Sequence, residues 1–94
     1  MLTLPIKRKW FDMIASGEKN EEYREITPYY EARLEKKMGE GMFRIILRAG
    51  YRKDSPEMCC LVFLSKGIGK TKWGAEPGRQ YYRLHIVSKE MYWM

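Results

Sequence analysis

Lys19, Glu22 and Arg24 lie in one eight-residue stretch, GEKNEEYR at 17–24, together with Glu18, Asn20 and Glu21. On an extended chain side chains alternate faces, so Glu22 and Arg24 point the same way. A carboxylate and a guanidinium two residues apart on one face fix each other and still present donors outward. Lys19 precedes them, beside a turn set by Gly17. This grouping of a cation, a carboxylate and a planar donor suits phosphate binding or polarisation of a carbonyl, with Glu22 moving protons. The same charge also fits a solvated edge strand protected against aggregation.

A second group mixes aromatic and basic residues. Trp73 is flanked by Lys70 and Lys72, with Arg79 and Tyr81 close behind, and Tyr51 stands beside Arg48, Arg52 and Lys53. Aromatic faces stack on bases while cations supply a salt-sensitive phosphate term, so Arg48, Tyr51, Lys70, Lys72, Trp73 and Arg79 are candidate nucleic-acid contacts. The alternative for Trp73 is to plug one end of a barrel.

Other motifs fall short. GIGKT at 67–71 lacks the earlier glycine of a phosphate-binding loop, because position 64 is Leu, and KWGAEPG cannot open the helix that motif needs. With one histidine, His85, and two adjacent cysteines, there is no metal-ligand cluster, and no metal or cofactor is expected. His85 alternates with Leu84 and Ile86 and reads as an exposed strand residue, which leaves a serine–histidine triad little support. Cys59 and Cys60 read as small core hydrophobes in a reducing compartment.

Several elements must position these residues. MLTLPI alternates as a first strand, and KRKWFDMIAS carries Trp10, Met13 and Ile14 at helical spacing up to Gly17. Thr27 followed by Pro28 starts a second helix, along which Tyr30, Leu34 and Met38 recur before Gly39 and Gly41 end it. MFRIILRA alternates with Phe43, Ile45, Leu47 and Ala49 on one face. YRKDSPE reads as a turn, MCCLVFL as a buried strand, and residues 65–79 as a long glycine-rich loop. YYRLHIVSKEMYWM closes the chain as a strand, with Tyr82, Leu84 and Ile86 opposite Tyr81, Arg83 and His85. Strands dominate, with two short helices inserted early, which predicts an α+β chain built on a small closed or half-closed barrel.

The 94 residues form one domain, 1–94, with 45% hydrophobic and 32% charged residues, the mix of a soluble globular protein. No apolar run is long enough to span a membrane, and the N-terminus does not read as a secretory signal, so a cytoplasmic location is expected. The net charge of +6 divides into +1 over residues 1–47 and +5 over 48–94, and a basic half favours a polyanion.

SGEKNEEYRE resembles the G-x-K-x-x-E-x-R signature of the ASCH domain family, a branch of the PUA-like fold, through Gly17, Lys19, Glu22 and Arg24. IKRKWFDMIASG before it is similar to the family's strand-to-helix lead-in, and WGAEPG to the end of small members. The resemblance implies a small PUA-like β-barrel with two flanking short helices and a cleft that binds RNA or a nucleotide-like ligand. Some members hydrolyse an acyl amide of a modified cytidine nucleoside and others are described as ribonucleases. In the amidohydrolase branch the motif lysine, here Lys19, is catalytic, a threonine follows three residues on, and a separate glutamate assists. Position 22 is Glu here, which argues against that chemistry, and no downstream residue is assigned as the assisting glutamate, with Glu57 and Glu76 as candidates. The first expectation is therefore an RNA- or nucleotide-binding domain with Lys19, Glu22 and Arg24 in its cleft. The alternatives are a small hydrolase (N4-acetylcytidine amidohydrolase-like, or a ribonuclease), in which those three residues are catalytic, and a protein-interaction module.

Overall fold

The alternation at 42–49 forms strand β3 (Phe43–Arg48), whose inward residues Ile45 and Leu47 are fully buried. It lies between β1 (Leu2–Pro5), which runs parallel to it, and β4 (Glu57–Ile68), which runs antiparallel. Beyond β4 come β5 (Gln80–Tyr92) and β2 (Glu21–Glu25), both antiparallel to their neighbours. The single mixed sheet thus has the order β1-β3-β4-β5-β2 and curls into a half-barrel. The computed structural model describes residues 1–92. Trp93 and Met94, the end of the MYWM tail, lie outside the described residues.

Helix α1 (Arg8–Ser16) follows β1 and buries Phe11 and Ile14, one turn apart. Gly17 ends it at φ 87°, a left-handed conformation that lacks a steric penalty only for glycine, and its N–H caps Ile14. Helix α2 (Pro28–Leu34) starts on Thr27, whose hydroxyl accepts from the N–H of Tyr30, with Pro28 in the first turn. The expected four-residue recurrence holds through Leu34, which is fully buried, but the helix then tightens to a 3-10 turn over Glu35–Lys37. The core joins Phe11, Ile14 and Leu34 to the concave face of the sheet: Leu4, Ile45, Leu47, Met58, Cys60, Val62, Leu64, Tyr82 and Leu84. Cys59 and Cys60 are free and buried, and burial pushes the Cys60 thiol up to about 12, so it stays a neutral apolar side chain. Among the described residues no helix is long and apolar enough to cross a membrane.

The long loop expected at 65–79 is overturned. Strand β4 continues through Ser65, Lys66, Gly67 and Ile68, which pair with Arg83, Tyr82, Tyr81 and Gln80, and a 3-10 turn covers Thr71–Trp73. Pairing with β5 satisfies the backbone there without an apolar alternation, so the strand left no hydrophobic pattern to read. The GIGKT glycines serve close packing. A Cβ on Gly69 would sit 2.7 Å from the Ala75 Cβ and 3.0 Å from the Tyr23 ring. Gly69→Ala should therefore destabilise the fold by roughly 1–3 kcal/mol through overpacking. Urea unfolding should show a lower midpoint with an unchanged slope; an unchanged midpoint would refute a packing role.

Candidate functional site

Charge is drawn inward at the end of α1. The chain doubles back after Gly17, and the Lys19 N–H donates to Met13 O at 3.0 Å, which turns the lysine toward the core. Lys19 is only 1% exposed. Its Nζ donates to Glu22 Oε1 at 2.6 Å and to the Glu21 carbonyl, and lies 5.6 Å from the Trp10 ring centre and 5.2 Å from that of Tyr23. The other oxygen of Glu22 accepts from Arg24 Nη1, which also donates to Tyr23 O at 3.0 Å. Arg24 Nη2 then reaches across to Pro5 O on β1 at 2.7 Å. Glu22 and Arg24 share a face, as strand alternation predicts, and Glu22 is held between two cations. Burial lowers the Lys19 pKa from its ordinary 10.5; Glu22 opposes the shift and Arg24 adds to it.

Strands β1 and β2 are the two edges of the sheet, and a cleft of about 800 Å³ runs beside the gap between them. Glu22 and Arg24 share its lining with six aromatic residues: Trp10, Tyr23, Tyr30, Tyr51, Trp73 and Tyr81. Its remaining charges are mixed: Lys7, Arg8, Glu25 and Glu76. Lys19 sits behind Glu22 with no exposed side-chain surface and is not part of the lining.

The second group of candidates divides. Tyr51 is 88% exposed and lines the cleft. Trp73 also lines it but is only 6% exposed, so it serves as a wall; the Nζ atoms of Lys70 and Lys72 lie 4.5 and 4.9 Å from its ring centre. Behind it, Gly74 lets Trp10 approach, since a Cβ there would meet the Trp10 ring at 3.0 Å. Arg79 lies between Glu25 and Glu76, at 3.4 and 3.3 Å, and Arg48 pairs with Glu57 at 2.6 Å; neither lines the cleft. Of the two candidate assisting glutamates, only Glu76 reaches the cleft.

Several lining residues were not singled out by sequence. Trp10 and Tyr30 fall at helical spacing and read as core, while Tyr23 reads as the apolar member of a charged strand. Tyr23 instead ties the site together: its hydroxyl donates to Glu21 Oε1 and accepts from the Lys70 N–H, both at 2.9 Å, and burial pushes its pKa up to about 12. Family models, curated proteins and solved structures give no match to this chain.

The triad makes two predictions. Glu22→Gln strips the carboxylate from two buried cations and should cost roughly 3–5 kcal/mol in urea unfolding. A loss below 1 kcal/mol would show that the triad does not hold the fold. Lys19 binds its proton less tightly folded than unfolded, so its contribution to stability rises with pH between its depressed pKa and 10.5. The stability of the native chain relative to Lys19→Met should therefore increase from neutral pH toward 10.5; a flat difference would contradict a depressed pKa.

Proposed function

We propose that this chain is an ASCH-type, PUA-like domain that binds RNA or a nucleotide-like ligand in the aromatic cleft. The carrying observation is the convergence of six aromatic side chains on the Glu22–Arg24 pair in a cleft of about 800 Å³. Ligand sites are typically apolar concavities of roughly 300–1,000 Å³ with a few fixed polar groups, and this cleft fits that pattern. A nucleobase supplies the flat face the aromatic walls match, and its exocyclic amino group can donate to a Glu22 oxygen. Lys7 and Arg8 also line the cleft and would supply cations for an attached phosphate, Arg8 sharing its charge with Asp12 at 3.0 Å. The resemblance supports the same reading: Gly17 turns the chain, while Lys19, Glu22 and Arg24 form one hydrogen-bonded group.

A hydrolase of modified nucleosides, or a ribonuclease, is favoured by one observation. The ammonium of Lys19, its pKa lowered, lies 2.6 Å from a carboxylate that lines the cleft. In that reading Glu22 exchanges protons with the ligand and Lys19 stands behind it as a positioning residue and proton reservoir.

Titration with nucleoside monophosphates and short single-stranded RNA, followed by Trp fluorescence, tests binding. Tyr51→Ala should weaken it by about 1–3 kcal/mol, the worth of one stacked base, without loss of stability. Charge reversal at Lys70 and Lys72 should weaken RNA more than a mononucleotide and flatten the salt dependence. Absence of binding to either probe at low salt would overturn the proposal, and product formation in the same samples would favour the enzyme.

A further inference from the structure

A separate group of polar side chains sits on the convex face of the sheet, spread over β4, β5 and β2. Ser65 Oγ lies 2.8 Å from His85 Nε2, and His85 Nδ1 faces Glu21 Oε2 at 3.9 Å. Phe63, two residues before Ser65, stacks on the imidazole with ring centres 4.3 Å apart and planes within 3°. His85, expected as an exposed strand residue, is thus half-buried and fixed from three sides. Arg83 Nε donates to Ser65 Oγ at 3.3 Å, and its Nη1 donates to Ile68 O at 3.3 Å. Gly67 makes room for that guanidinium, since a Cβ there would lie 2.8 Å from Arg83 Cζ. None of these residues lines the aromatic cleft.

We propose that Ser65, His85 and Glu21 form an acyl-transfer site, with Arg83 as its oxyanion partner, that hydrolyses carboxylic esters whose acyl carbon can reach an open sheet face. A hydroxyl, an imidazole and a carboxylate in that order form a nucleophile–base–orienter arrangement recognised by geometry and not by chain order. Ser65 Oγ bonds to the acyl carbon as its proton passes to His85 Nε2, and the carbonyl π pair moves onto oxygen beside the Arg83 guanidinium. Collapse re-forms the carbonyl and expels the alkoxide, which takes the proton from Nε2. Water then adds to the acyl carbon and gives its proton to Nε2. That proton returns to Ser65 Oγ as the carboxylic acid leaves. Glu21 is a positioning residue: it favours the tautomer with Nδ1–H toward β2, and its present 3.9 Å separation is of the kind that tightens on substrate binding. The charged groups facing His85 are Glu21 from β2 and Arg83 from β5. Burial, with Arg83 adding and Glu21 opposing, holds the imidazole below its ordinary 6.5, so it is a free base at neutral pH.

The test uses the full chain with 4-nitrophenyl acetate as substrate and a fluorophosphonate as a covalent label located by mass spectrometry. The expected result is one label, on Ser65, and hydrolysis that falls roughly 100-fold or more in Ser65→Ala and in His85→Gln. Both variants should keep the native urea midpoint and nucleotide binding in the cleft, which separates lost chemistry from lost folding. The rate should rise with pH and be half-maximal below 6.5. Glu21→Gln should move that midpoint to lower pH, because the carboxylate raises the His85 pKa; a purely structural role would not move it. Lack of hydrolysis and labelling in the native chain, a label elsewhere, or an unchanged rate in Ser65→Ala would overturn the proposal.

Discussion

The Glu22 carboxylate is the joint on which the rest of the molecule depends. It binds the lysine that follows α1 and the arginine that crosses from β2 to β1, so one side chain ties a helix end to both edges of the sheet. Buried ion pairs seldom repay the loss of hydration through Coulomb attraction alone. Here the remaining donors are met by main-chain carbonyls of Pro5, Glu21 and Tyr23, and among the described residues no buried side-chain polar atom lacks a partner. The triad still holds two cations against one anion. Burial above all depresses the Lys19 pKa, Glu22 opposes the shift, and the second cation, Arg24, adds to it.

The cleft is a consequence of how the sheet ends. Had β1 and β2 paired, the sheet would have closed into a barrel and the gap would have been filled by a hydrogen-bond ladder. Instead Arg24 bridges the seam with a single side-chain donor to Pro5 O. Proline at that position has no amide hydrogen to offer a further strand, and the exposed Glu25 ends β2, so both edges are protected against pairing with another chain. Aromatic side chains then line the space the missing ladder leaves open. The walls are therefore apolar while the deepest polar groups are already organised, which lowers the cost of ordering a ligand there.

Much of this was legible in the sequence, for identifiable reasons. The alternation of Phe43, Ile45 and Leu47, the Thr27–Pro28 start and the Gly17 stop each encode backbone geometry locally, and each forms as read. The shared face of Glu22 and Arg24 follows from strand periodicity alone. What was hidden depends on partners distant in the chain. The end of β4 is specified by its pairing with β5, so Ser65–Ile68 looked like loop. Trp73 read either as a stacking face or as a plug, and its burial with Lys70 and Lys72 against its ring makes it a wall. Arg48 and Arg79 looked available because their carboxylate partners come from a neighbouring strand or a tight turn. Ser65 and His85 stand 20 residues apart and meet only because the β4–β5 hairpin sets them side by side.

The cleft and the polar group around His85 are joined through side chains of one sheet face. Tyr23 lines the cleft, and its hydroxyl donates to Glu21 Oε1 while the other oxygen, Oε2, faces His85. Tyr23 also packs at 5.7 Å from Tyr81, a second lining residue whose hydroxyl accepts from the Glu76 N–H. The orientation of Glu21 toward the imidazole is therefore set by a ring whose opposite side is cleft wall. The same Tyr23 hydroxyl accepts from the Lys70 N–H, so one side chain fixes both the Glu21 carboxylate and the start of the turn that carries Trp73. Glu21, Tyr23 and Glu25 of β2 lie opposite His85, Arg83 and Tyr81 of β5, so the connection runs along one sheet face to the open seam, where the Tyr23 ring reaches the cleft.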